Sequence, residues 1–321
     1  MKKINLSKKI DSNEIYNCLI NSYSKISKDW IYHQWNWLYQ SYGTFNDLMK
    51  LLIVIALVRD TLKFYQTLGL FYDYDAYYSY DILQIDKFSI SSLSREFNIP
   101  KETMRRKLHE LEKSGIIKKQ GKKIFLDKSA FNLIKPDDQI IITSRYLSKI
   151  SGLLFEEKKL DQVISNEKIT SKIKKDFSRI WLWFYEFQIP VMIKWNYIYK
   201  DLNIFYIFFT LALNQTYNYN NKNISKQKNI ITFDEYIKKA LKNNDSSSGL
   251  NNMSISDMTK IPRATVIRKI KFLEDKKLIK SNLKKQYYVT SNIMAKFIPT
   301  VKENFKFKSE FISKVINTII V

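Results

Sequence analysis

Cysteine, histidine, glycine and arginine are all scarce in this 321-residue chain. The single cysteine, Cys18, excludes a disulfide framework and a thiolate zinc site, and His33 and His109 alone leave no histidine metal set. Six glycines leave little material for a phosphate-cradling loop. No Ser/His/Asp or Cys/His arrangement stands out, and the carboxylates Asp73, Asp75 and Asp81 read as a solvated loop rather than a catalytic group. The expectation is a non-enzyme that uses no cofactor and no metal. Long apolar runs are missing too. Leu51–Val58 is far shorter than the ~20 residues that span a bilayer. Ile180–Leu213 is interrupted by Glu186, Pro190, Lys194, Lys200 and Asp201, so a buried helix pair is expected and not membrane insertion. The N-terminus begins basic, but Asp11 and Glu14 break its short apolar stretches, which does not fit a signal peptide. A cytoplasmic, nucleoid-associated protein is expected.

Negative charge is in deficit as well: 31 acidic against 54 basic residues, a net charge of +23. Such a balance points to a polyanion, nucleic acid first and an anionic membrane surface second. Abundant Lys, Ile, Asn and Tyr would also follow from AT-rich coding, so drift explains part of the lysine. It does not explain the arginine. Arg105, Arg106, Arg263 and Arg268 make up half of all the arginines and fall in two short stretches that resemble each other. A planar five-donor fork suits phosphate and guanine edges better than an ammonium does.

Those stretches read IPKETMRRKLHELEKSGII around Pro100 and IPRATVIRKIKFLEDKKLI around Pro262. The likeness extends upstream, where WNWLY (Trp35–Tyr39) matches WNYIY (Trp195–Tyr199), and downstream, where SRYLSKI (Ser144–Ile150) matches SEFISKV (Ser309–Val315). The register shifts are 160, 162 and 165 residues, a slow drift of the kind loop insertions produce. A tandem duplication is expected, with one unit over residues 12–155, a charged connector over 156–176 and a second unit over 177–321. Each copy reads as helix (Trp30–Tyr42; Trp181–Tyr199), apolar helix (Thr44–Tyr65; Asp201–Gln215), helix-turn-helix, hairpin and closing helix. Thr44 with Asp47 suggests a capping box at the second of these. Asn214–Asn229 and Asn243–Asn252 are polar enough to read as loops, and Phe71–Asp81 as a partly buried aromatic loop.

In the first copy, with helix-turn-helix and hairpin over about 89–127, Ile90, Leu93 and Phe97 form a buried stripe. Asn98-Ile99-Pro100 makes the turn, and Met104, Leu108 and Leu111 bury the next helix. Gly115 ends that helix in a left-handed conformation. Lys101, Glu102, Thr103, Arg105, Arg106 and His109 remain around its outside. In the second copy (about 254–290) the buried set is Ile255, Met258, Ile261, Val266, Ile270 and Leu273. Its first helix or turn reads three residues shorter, and Lys277 in place of glycine predicts a less sharp helix end. Both copies continue into a hairpin with a basic tip, Gln120–Lys123 and Ser281–Lys285.

This pattern of proline, basic residue, threonine, apolar residue, arginine and basic hairpin resembles bacterial winged helix-turn-helix transcriptional regulators. The flanking helices resemble the MarR-type arrangement, here duplicated in tandem within one chain, although that family usually carries one unit per chain. The resemblance implies a mainly α fold with small β-wings. It implies DNA contact by Lys101, Thr103, Arg105, Arg106, His109, Lys122 and Lys123 in the first copy. In the second copy the corresponding residues are Arg263, Thr265, Ile267, Arg268, Lys271, Lys284 and Lys285. The alternative for Arg106 and Arg268 is a salt bridge along the helix.

The expected partner is double-stranded DNA, bound by a monomeric pseudo-dimer whose further self-association stays open. Recognition helices entering successive major grooves about 34 Å apart would read an imperfect inverted repeat. Its halves would be unequal, because Arg105 suits guanine and Ile267 only a thymine methyl. Two other readings stand beside this one: a plasmid-type replication initiator binding direct repeats near an origin, and a membrane-surface or scaffold protein. An aromatic pocket at Trp35 and Trp37 is either a ligand site or core packing.

Overall fold

The computed structural model describes residues 9–85, 88–121, 123–130, 135–223, 230–242 and 249–320. These residues are mainly helical, with two small antiparallel sheets. The chain opens with α1 (Ser12–Asn21), α2 (Tyr23–Phe45), α3 (Leu48–Thr67), α4 (Tyr74–Ser79) and β1 (Ile82–Ile85). It continues with α5 (Ile90–Phe97), α6 (Lys101–Lys113), β2 (Ile117–Gln120), β3 (Lys123–Asp127) and α7 (Asp137–Glu156). Next come α8 (Asn166–Lys175), α9 (Phe177–Tyr199), α10 (Leu202–Asn223) and α11 (Phe233–Lys242). The last elements are α12 (Asn252–Thr259), α13 (Arg263–Asp275), β4 (Ile279–Ser281), β5 (Tyr287–Val289) and α14 (Ser291–Ile320). Among the described residues no helix is long and apolar enough to cross a membrane.

The chain forms two compact units, and each is assembled from both sequence repeats. One unit comprises Gln40–Ile141 and Glu167–Leu202; the other comprises Met1–Tyr39, Ile142–Asn166 and Asn203–Val321. The α5–α6 segment shares its unit with α9, the helix carrying WNYIY. The α12–α13 segment shares its unit with the WNWLY stretch of α2.

In the unit that holds α5 and α6, α3 packs along α9. All of Leu51–Val58 is buried, so this part of α3 is covered on every side, as a helix apolar all round requires. Thr44 does not start α3. It lies inside α2 and its hydroxyl donates to the Gln40 carbonyl, while Asp47 caps α3 by accepting from the Met49 N–H at 2.7 Å. The tyrosine-rich segment is the short helix α4, capped by Asp73, with Tyr74 and Tyr77 buried against Phe177 at 5.2 Å between ring centres. Asp73 thus works as a cap, and among the described residues no group of three His, Cys, Asp or Glu could hold a metal.

In the other unit α1 lies along α14, and Ser313 and Asn317 of α14 hold the Ile10 carbonyl that leads into α1. Trp37 is buried, whereas Trp35 is partly buried, donates to Thr210 Oγ1 at 3.1 Å and stacks on Tyr39. Lys308 is 1% exposed; its Nζ lies 4.2 Å from the centre of the Trp30 ring and 4.4 Å from that of Tyr146. Burial pushes its pKa well below that of an ordinary lysine, and the two ring faces offset part of the cost. His33 is buried beside Thr143, and burial, with a contribution from Lys308, lowers its pKa well below that of an ordinary histidine. The segment from Asn214 is not a loop at its start: α10 carries it to Asn223. Residues 224–229 and 243–248 lie outside the described residues.

The α5–α6 and α12–α13 segments share their N-caps and the serine-to-carbonyl bond across the turn. Ser89 caps α5 and Asn251 caps α12. Ser94 Oγ donates to the Ile99 carbonyl at 2.6 Å and Ser256 Oγ to the Ile261 carbonyl at 2.7 Å. Asn98 and Lys260 are both left-handed, at φ 50° and 60°, and Pro100 and Pro262 occupy the N-cap of the next helix. Both first helices have eight residues, so the second copy is not three residues shorter. The position matching Phe97 is Thr259, and Met258, expected in the buried set, is only partly buried. The Thr259 hydroxyl donates to the Ile255 carbonyl at 2.7 Å and accepts from the Ile261 N–H at 3.2 Å, which lets a polar residue fill an apolar slot.

The helix ends also match. Gly115 stands at φ 77° and Lys277 at φ 55°, and the residues after them, Ile116 and Leu278, donate back to Leu111 and Leu273. Lys277 therefore ends α13 as sharply as glycine ends α6, but with a Cβ in a left-handed position that costs an L-residue about 1 kcal/mol. Lys277→Gly is expected to stabilise the chain by up to about 1 kcal/mol and Gly115→Ala to destabilise it by about as much. Urea unfolding of the two variants checks this, and equal effects of the same sign would refute it.

Candidate nucleic-acid interface

The sheet of the first segment has strand order β1-β3-β2, all antiparallel, with Leu126 of β3 opposite both Leu83 and Ile117. These three side chains are buried and fasten the hairpin against the helices. The second segment repeats the arrangement with less strand. β4 pairs β5, and Leu250 bridges Tyr287 in place of a full third strand. Gly249 makes that approach possible, since a Cβ there would come within 2.9 Å of the Tyr287 carbonyl oxygen.

Met104, Leu108 and Leu111 of α6 are buried, as are Val266, Ile270 and Leu273 of α13. This turns the opposite faces outward. Lys101, Arg105, Arg106 and His109 are exposed on α6, and Arg263, Ile267, Arg268 and Lys271 on α13, with Thr103 and Thr265 half-buried. The two faces differ in how their charge is held. On α6, Arg105 meets Glu102 at 3.1 Å and Arg106 meets Glu110 at 3.4 Å, both arginines about 60% exposed. Such exposed pairs contribute about 0–1 kcal/mol. Among the described residues no carboxylate pairs with Arg263, Arg268 or Lys271. No family model matches this chain, and neither does any curated protein or solved structure.

The hairpin tips complete the two faces. Lys123 is exposed at the first tip, and Lys284 and Lys285 are exposed at the second, whereas Lys122 lies outside the described residues. Further down the first hairpin, Lys118 is tied to Asp127 at 2.5 Å and Lys119 to Glu112 at 2.7 Å. The Lys118 ammonium and the Ser129 hydroxyl hold the Asp127 carboxyl down at about 2.

Spacing alone does not single out Lys107 on α6, yet it is the residue that orients that helix. Its side chain is 12% exposed, with Nζ 2.6 Å from Asp47 and 3.0 Å from Glu110, and Lys50 adds a contact to Glu110 at 3.5 Å. These carboxylates raise the Lys107 pKa against the opposing effect of burial. On the neighbouring side Arg59 grips Glu96 of α5 through two bonds, at 2.5 and 3.1 Å. Asp47 thus caps α3 and anchors α6 at once. Asp47→Ala is expected to cost about 2–3 kcal/mol, from a lost cap worth ~1 kcal/mol and a half-buried lysine deprived of one partner. Asp47→Asn, which keeps the cap, should cost less in the same urea titration. A loss under about 0.5 kcal/mol for the alanine variant would show that the anchor is idle.

Proposed function

We propose that this protein is a sequence-specific double-stranded DNA-binding regulator carrying two non-identical winged helix-turn-helix units, each reading one half of an unequal site. The observation that carries the reading is the matched geometry of two segments built from different residues. Each has the serine-to-carbonyl bond across its turn, a left-handed residue, a proline N-cap and a braced hairpin. That framework turns an arginine-bearing helix face outward twice, in a chain of net charge +23. Phosphate contacts from the hairpin lysines would position the helices, and helix side chains would read bases. Glu102 and Glu110 temper the first face, whereas the second lacks such acidic neighbours among the described residues, so the second unit supplies more of the affinity. The test is a gel shift of the chain with Arg106→Ala and Arg268→Ala against the wild type. Loss of the specific complex by a folded variant supports the reading, and an unchanged complex contradicts it.

A further inference from the structure

The tip of the second hairpin carries a side chain that its surroundings do nothing to cover. Leu283 is 106% exposed, as open as in an extended peptide. Turns are ordinarily polar, and this one is otherwise so: Asn282, Lys284, Lys285 and Gln286 surround the leucine. The loop is nevertheless tightly tied. Asn282 Oδ1 accepts from the N–H groups of Lys284 and Gln286, each at 3.0 Å, and Asn282 Nδ2 donates to Gln286 Oε1 at 2.8 Å. The Lys285 N–H returns to the Asn282 carbonyl at 2.9 Å with Lys285 left-handed at φ 54°. The base of the hairpin is fixed as well. Gln215 of α10 bonds both the N–H and the carbonyl of Val289, at 2.8 and 3.1 Å, and the Leu250 bridge holds Tyr287.

We infer that Leu283 is a wedge that enters the minor groove and partly unstacks a base step, so that the second unit kinks the duplex it binds. The inference rests on the DNA-binding reading above. An apolar side chain on a pre-ordered tip loses little conformational freedom on insertion, and desolvating it is favourable. The adjacent Lys284 and Lys285, both exposed, hold the phosphates on either side of a groove about 6 Å wide. Apolar wedges of this kind bend DNA by roughly 20–90°. They favour TpA and CpA steps, which unstack most easily. The first hairpin cannot act alike: its tip sequence, Gln120-Gly121-Lys122-Lys123, has no apolar residue. The kink is therefore one-sided.

The probe is an alternating T-A duplex of roughly 30 bp, since a kinked site occupies about 20–30 bp. It carries one central 2-aminopurine, whose emission rises on unstacking, and a donor–acceptor pair on its ends. Binding of the full chain is followed separately by anisotropy at low salt. The wild type is expected to raise both the 2-aminopurine emission and the end-to-end transfer. Leu283→Ala is expected to lose most of both signals while binding within about tenfold, and Leu283→Met to keep them. Lys284→Ala with Lys285→Ala should weaken binding and lower the salt slope by about 2. A Leu283→Ala complex that still unstacks and bends the duplex overturns the wedge and leaves the DNA-binding reading intact. A wild-type chain that binds neither this duplex nor one of random sequence overturns both.

Discussion

Replacing Arg106 and Arg268 with alanine is expected to lower specific duplex binding by about thirtyfold or more, at roughly 1–3 kcal/mol for each lost bidentate contact. The fold should not suffer. Both side chains are exposed, Arg268 has no carboxylate partner among the described residues, and the Arg106–Glu110 pair is a surface pair. Unfolding free energies of variant and wild type should therefore agree within about 0.5 kcal/mol. The single variants should differ, with Arg268→Ala the more damaging, because Arg106 already shares its charge with Glu110. Competitor titration separates loss of specificity from loss of charge. A variant that loses affinity equally for every sequence would place these arginines on phosphates alone.

A fragment ending at residue 176, which contains the whole first sequence repeat, is expected not to fold cooperatively. Its α5 and α6 belong to a compact unit that also contains α9, and α3 would lose the helix it packs along. Re-exposing about four buried apolar side chains costs roughly 6–12 kcal/mol, comparable to the whole stability of a domain. Thermal unfolding followed by circular dichroism should show no sharp transition, and the fragment should bind a dye for exposed apolar surface. A sharp transition in this fragment would mean that the first repeat folds by itself.

The helix pair α5 and α6 could be read from the chain, and the reason is local. Leu93, Phe97, Met104, Leu108 and Leu111 are apolar at helical spacing, and a proline stands where a helix begins, so pattern and capping chemistry agree. Where side-chain hydrogen bonds replace apolar contacts the pattern misleads. Thr259 fills the slot of a phenylalanine because its hydroxyl is satisfied by backbone, and this concealed that the two turns are equal in length. Lys277 and Lys260 accept left-handed backbone that glycine or asparagine would have advertised. Asp47 reads as a partner in a cap for Thr44, whereas it is the cap itself and the anchor of Lys107. The exchange of α9 and the WNWLY helix between compact units leaves no mark in periodicity, since an apolar face does not state which neighbour will cover it. Leu283 was legible only as one leucine in a basic loop, and its meaning comes from the turn that holds it outward.

The most direct test of the account is selection of duplexes from a random library by the full chain at physiological salt, followed by sequencing. The account predicts one enriched site with two unequal, inverted half-sites about one helical turn apart. Direct repeats in their place would move the reading to a replication initiator. Recovery without any shared motif, vanishing as salt is added, would mean that only the net charge binds DNA, and the account of two reading units would be contradicted.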